Sequence, residues 1–182
     1  MPTDDRGATL LRLARTAIAR NLGFPAEADD SATWLREPGA TFVTLTRDGQ
    51  LRGCIGSLEA CRTLAQDVQS NACAAAFRDP RFPPLCRDEF GNTCIEVSLL
   101  SPLEPIPFRD EQDALAQLRP HVDGVVLEHG YHRGTFLPQV WEQLPTPEQF
   151  LSQLKRKAGL PPDFWDDGIK LYRYTVEKWK ES

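Results

Sequence analysis

The residues best suited to chemistry are Leu51-Arg52-Gly53-Cys54-Ile55-Gly56, where a thiol stands between two glycines and two residues after an arginine. On an extended segment, residues two apart point to the same face. A neighbouring cation favours the thiolate, which is the nucleophilic and redox-active form of cysteine. The commoner fate of a free cysteine in a sheet is that of a small core residue, so the pattern has a plain reading beside the chemical one. The glycines weaken a strand and imply a bulge or a close approach by a ligand or by another stretch of backbone.

These residues need an element to hold them. Asp48-Gly49 stands between this segment and the apolar run Thr41-Phe42-Val43-Thr44-Leu45-Thr46. An Asp-Gly pair between two such runs is a strong hairpin signal. A two-residue loop there pairs Arg47 with Gln50, Leu45 with Arg52, and Val43 with Cys54. Val43, Leu45, Arg52 and Cys54 are then expected on one face. The helical spacing of Cys61, Leu64, Ala65, Val68, Ala72 and Ala75 predicts a helix over 59–77. Its N-terminus, near residues 57–60, is expected to offer backbone donors to an anion just beyond the Cys54 strand. Glu96 is the expected ion-pair partner of Arg52, because it lies on the polar face of the strand predicted over 93–100, opposite Ile95, Val97 and Leu99.

Elsewhere the pattern alternates helix and strand. Leu10, Leu13, Ala14, Ala17 and Ile18 mark an amphipathic helix over 4–21. Residues 79–84 are too rich in proline for regular structure. Pro102, Pro105 and Pro107 make 101–110 the candidate subdomain boundary. A short helix over 111–118 and a hairpin over 124–137, turning near His129-Gly130, follow. Thr146-Pro147-Glu148-Gln149 is a helix start with an N-cap, a proline at the first helical position and Gln149 at the capping-box position. A last strand runs over 169–179, with Tyr172, Tyr174 and Val176 on one face. Locally paired strands without a βαβ rhythm favour an α+β fold over a doubly wound sheet.

Composition narrows the function classes. The chain has 182 residues, 26% of them charged, and a net charge of -5. It offers no basic face for nucleic acid, and Lys155-Arg156-Lys157 is read as cations at a helix C-terminus. No apolar run approaches the length needed to cross a membrane, and the first twenty residues lack a signal-peptide core; a cytoplasmic location is expected. The five cysteines, at 54, 61, 73, 86 and 94, include no C-x-x-C, which removes zinc-ribbon and thioredoxin-type motifs. Cys61, Cys73 and Cys94 are expected to be small buried hydrophobes. His121, His129 and His132 do not make a metal site, and His129 and Tyr131 are expected near solvent at a turn. The paired carboxylates Asp4-Asp5, Asp29-Asp30 and Asp166-Asp167 are expected in caps and solvated loops. No P-loop, Rossmann fingerprint or serine nucleophile elbow is present, so no cofactor is implied.

Taken together, several ordered motifs carry a resemblance. Leu51-Arg52-Gly53-Cys54-Ile55-Gly56-Ser57 looks like the signature of the AMMECR family, whose prokaryotic members are called component A of the AmmeMemoRadiSam system. Residues 75–85, with Asp79-Pro80-Arg81-Phe82-Pro83-Pro84, resemble its D-x-R-F-x-P segment, and residues 96–101 its V-S-x-L strand. Asp123-Gly124-Val125, residues 135–141 and residues 154–160 follow in the expected order. The resemblance spans 8–177. It implies a single compact AMMECR-like α+β domain of two packed subdomains, with mainly antiparallel sheet and flanking helices. It also implies an association with a Memo-like protein and a radical-SAM protein, and it assigns no catalytic residue.

Two functions fit. The chain is expected to be a binding or adaptor component that meets such partners through the LRGCIG surface, its glycines letting a ligand or partner backbone approach. The alternative is an enzyme in which Cys54 is the nucleophilic or redox thiol. In that reading Arg52, Gly53, Gly56 and Arg81 bind a small anionic substrate.

Overall fold

The computed structural model describes the backbone of residues 3–182 and the side chains from residue 5 onward, so the side chain of Asp4 lies outside the described residues. The chain forms two compact units, one of residues up to Leu100 together with Glu177–Ser182, the other of Ser101–Val176.

The first unit opens with α1 (Thr3–Asn21), whose predicted stripe of Leu10, Leu13, Ala14, Ala17 and Ile18 is buried throughout. The hairpin follows as β1 (Ala40–Arg47) and β2 (Gln50–Gly56). Asp48 and Gly49 both have positive φ, 54° and 76°, as a two-residue turn of this type requires. Next come α2 (Leu64–Phe77), the single turn α3 (Arg87–Phe90) and β3 (Thr93–Leu100). The second unit holds β4 (Glu104–Pro105), α4 (Glu111–Gln117), β5 (Gly124–His129), β6 (His132–Phe136), α5 (Pro147–Lys157) and β7 (Lys170–Tyr174). The chain then returns with β8 (Val176–Lys180) to the first sheet. The sheets are ordered β2-β1-β3-β8 and β4-β7-β5-β6, and β1, β5 and β7 run antiparallel to the neighbours they pair with. The fold is the expected α+β mixture. Among the described residues no helix is long and apolar enough to cross a membrane.

Three expectations need correction. The helix predicted from residue 59 begins at Leu64, because Thr63 and Gln66 form a reciprocal capping box, with Gln66 N–H donating to Thr63 Oγ1 at 3.2 Å and Thr63 N–H to Gln66 Oε1 at 3.3 Å. Cys61 therefore stands exposed in the preceding loop, and Cys73 and Cys94 are only half-buried. The strand predicted over 169–179 is two strands in different sheets. It breaks at Thr175, whose N–H donates to Ser101 Oγ and whose carbonyl accepts from Ser101 N–H, both at 2.8 Å. Thus Val176 does not continue the face of Tyr174.

The register of the hairpin also differs from the expected one. Arg47 pairs with Gln50 as predicted, but a bulge opposite Leu45 and Thr46 leaves Arg52 without a partner on β1. Beyond it Leu45 pairs with Gly53, Thr44 with Cys54 and Val43 with Ile55. One extra residue moves every later side chain to the other face. Cys54 accordingly lies with Thr44, opposite the face of Val43 and Leu45. The cause is α2. A Cβ at position 53 would sit 2.1 Å from the carbonyl oxygen of Ala75, so only glycine can occupy the core side of this rung.

Candidate functional site

The segment 51–57 and the loop after α2 form one polar construction. Arg52 is only 8% exposed. Its Nε and Nη2 donate to the two oxygens of Glu89, at 3.0 and 3.1 Å, and Nη2 also donates to the carbonyl of Pro83 at 2.9 Å. The guanidinium carbon lies 5.9 Å from the centre of the Phe82 ring. Nη1 is buried without a hydrogen-bond partner among the described residues. Glu89, and not the expected Glu96, is therefore the partner of Arg52; Glu96 sits in mid-strand beside Thr44. Glu89 also accepts from Arg47 Nη1 at 3.0 Å and from Cys86 N–H at 2.9 Å. Chiefly through Arg52, and then through that N–H, its pKa is held down to about 2.

The cation that reaches Cys54 is Arg81. Asp79, buried, accepts the Cys54 N–H at 3.0 Å through Oδ2. The same oxygen accepts Arg81 Nη2 at 2.7 Å, and Oδ1 accepts Arg81 Nε and N–H, each at 3.0 Å. Arg81 Nη2 also donates to the Cys54 carbonyl at 3.4 Å. These bonds, led by the Arg81 side chain, hold the Asp79 carboxyl well below the usual carboxylate range. The thiol itself lies 3.3 Å from Thr44 Oγ1. The structure thus brings Cys54 and Arg81 together and turns Arg52 to Glu89.

Both glycines are explained by close approach within the chain: Gly53 lies under Ala75, and a Cβ at Gly56 would come 2.2 Å from the Phe42 ring. The helix N-terminus expected beside the strand is replaced by something sequence reasoning missed. Asp67, 1% exposed in the first turn of α2, accepts from Thr41 N–H and Oγ1, Asn71 Nδ2, Ser57 Oγ and Arg62 Nε, at 2.7 to 3.1 Å. It ties the start of β1, the residue after β2 and α2 to one carboxylate. An aspartate four residues before an asparagine on the apolar side of a predicted helix was the available signal.

In the second unit, the buried carboxylate is Asp123, which takes two bonds from the Arg119 guanidinium, at 2.9 and 2.7 Å. Its carbonyl accepts Trp141 Nε1 at 2.7 Å. His129, expected at the solvent, is half-buried: Nε2 lies 2.8 Å from Asp166 Oδ2 and the ring stands edge-on to Phe164 at 4.9 Å. Tyr131 is exposed, as expected.

A mixed fold with this edge-strand motif and this carboxylate-tied loop defines a class, and comparison identifies it. The AMMECR1 family model matches residues 11–179, and the chain belongs to the AMMECR1 family. A relative from Methanothermobacter thermautotrophicus is 39% identical over 190 residues, covering 98% of this chain and 95% of its own. One from Thermotoga maritima is 43% identical over 158 residues, covering 86% and 85%. The crystal structure of the uncharacterized protein PH0010 from Pyrococcus horikoshii superimposes with a TM-score of 0.87 at 37% identity, covering 99% of this chain and 93% of that one.

Proposed function

We propose that this chain is a binding component, an adaptor working with Memo-like and radical-SAM partners, and that its recognition surface is the face carrying Thr44 and Cys54. The observation that supports it is the engagement of the reactive-looking groups inside the chain. The thiol meets a hydroxyl, which is no general base, and the Arg52 cation is committed to Glu89. Such a segment is rigid and preorganised, which lowers the ordering cost of binding. Arg52, Gly53 and Gly56 act as its support, and Arg81, paired with Asp79 but with its side chain 54% exposed, is the cation placed to meet a small anionic ligand. In this reading the whole chain acts as one AMMECR-type domain in the cytoplasm, with its internal boundary in 101–110.

Affinity capture of the two partners tests it. Cys54→Ser keeps binding at the wild-type level, whereas Thr44→Arg, which places a bulky cation on the same face, weakens it by at least about tenfold. Equal loss in both variants, or no capture by the wild type, overturns the reading. A second reading, Cys54 as nucleophilic or redox thiol, is favoured by Arg81, whose Nη2 reaches the Cys54 carbonyl at 3.4 Å and brings a cation beside that residue. The rate of iodoacetamide alkylation against pH separates the two. A thiol titrating well below about 8.5 supports the enzyme, and one titrating at or above it supports the adaptor.

A further inference from the structure

β2 is the outermost strand of its sheet, so alternate residues direct their backbone groups away from β1. An open edge of this kind is a template for pairing with another strand. At Cys54 both outward groups are already taken. The N–H donates to Asp79 Oδ2 at 3.0 Å, and the carbonyl accepts from Arg81 Nη2 at 3.4 Å. One acceptor and one donor presented to a single residue is what a residue of a neighbouring strand presents. The surrogate is stiff, because Asp79 and Arg81 are joined by two side-chain bonds and by the Arg81 N–H. Toward the turn, the ladder is interrupted by the unpaired Arg52, so the Cys54 rung is the first regular outward one beyond the bulge, with Gly56 the next.

We infer that the Asp79–Arg81 pair closes the free edge of β2 and so keeps this strand from pairing with β2 of a second copy. The second copy is the occupant that the geometry fits. Both open groups belong to one residue, so a two-fold axis at Cys54 sets each copy's N–H against the other's carbonyl in an antiparallel pair. Leu51, 43% exposed on the same strand, adds apolar surface to that contact. The inference concerns the edge of the strand, whereas the proposed function uses its face, and either stands if the other fails.

The test compares the full chain with its D79S/R81A variant, both carrying Cys61→Ser and Cys86→Ser so that the exposed thiols are removed. Sedimentation velocity should show a monomer at all concentrations for the parent, and a dimer fraction that rises with concentration for the variant. A short bismaleimide should join Cys54 to Cys54 in that dimer and leave the parent uncrosslinked. A folded variant that stays monomeric, a dimer that does not crosslink through Cys54, or a parent that already pairs through Cys54 overturns the inference. Should the double variant fail to fold, R81A alone opens the carbonyl half of the rung. Concentration-dependent association of R81A then supports the edge-closing role, and a monomeric R81A overturns it.

Discussion

In the first unit the helix above the hairpin is small-residue packing, with Ala72, Ala75 and Ala76 buried, and the sheet rises to meet it until Gly53 lies beneath the Ala75 carbonyl. In the second unit the corresponding space is filled by large rings, Trp141 stacked on Phe150 at 3.8 Å and Phe136 standing edge-on to Phe150 at 5.3 Å. The first unit ties its loops with buried carboxylates, Asp67 and Asp79, and with Glu89. The second relies more on apolar volume, with buried polar anchors at Asp123 and at Lys155, whose Nζ donates to Glu111 at 2.7 Å. A close-approach design tolerates no added atom, and a ring-filled design tolerates no removed one. The family motifs that read as chemistry fall in the first kind of packing, where glycine and charge are demanded by geometry.

Substitutions that exchange these materials test the difference most strongly. Gly53→Val forces β2 off α2, because backbone cannot yield as a flexible side chain can, and is expected to cost at least about 4 kcal/mol. Urea unfolding, or failure to recover folded protein, measures it; a loss below about 1 kcal/mol would show that the two elements can separate freely. Trp141→Ala, the opposite operation in the second unit, is expected to cost about 4 kcal/mol through cavity formation and the lost bond to the Asp123 carbonyl. Asp67→Ala should cost about 3 kcal/mol, since it strands the donors of Thr41, Asn71 and Ser57. If Asp67→Ala proves neutral, the contrast between a carboxylate-tied unit and a ring-filled one fails.

Elements whose causes are local were legible in the sequence. The stripe of α1, the turn at Asp48-Gly49, the alternation of β3 as far as Val97 and the Thr146 cap on α5, where Thr146 Oγ1 accepts the Gln149 N–H at 3.2 Å, all depend on neighbours within a few residues. The site was legible only as an address. The glycine beside the bulge answers to the carbonyl of Ala75, and the partner of Arg52 is Glu89, in a one-turn helix with no hydrophobic period to announce it. No periodicity argument reaches across such separations. The break at Thr175 was hidden for a related reason: residues on both sides of it are extended, and only their assignment to different sheets distinguishes them.

Acid should separate the units next. Glu89 has a folded-state pKa of about 2 against an ordinary value of 4.5, with Arg52 as the leading cause. A depressed carboxylate contributes stability that is complete above the unfolded value and is lost as pH falls through the folded one. The window is therefore from about 4.5 down to about 2, and Asp79, also depressed, extends the loss downward. Amide exchange followed through this window should show residues of the first unit opening before those of the second. In Glu89→Gln the part of the pH slope due to Glu89 should vanish, while stability at neutral pH falls. Equal opening of both units, or an unchanged slope, would remove the acid contrast.

The weakest of these ties lies in the second unit. His129 and Asp166 form the second unit's polar link between β5 and the loop before β7, but the Asp166 side chain is 47% exposed and well screened. Asp166 also accepts the Gly168 N–H at 2.7 Å, and that local bond survives any change at His129. The His129 ring keeps its own hold on the loop through Phe164, so the apolar contact, more than the charge, positions it. His129→Gln is thus expected to cost about 0.5 kcal/mol, and His129→Phe, which retains a ring against Phe164, less than that. Thermal unfolding of the two variants ranks them. A cost for His129→Gln as large as that of Asp67→Ala would mean that the second unit, too, is held by polar ties, and that its rings fill space without setting the fold.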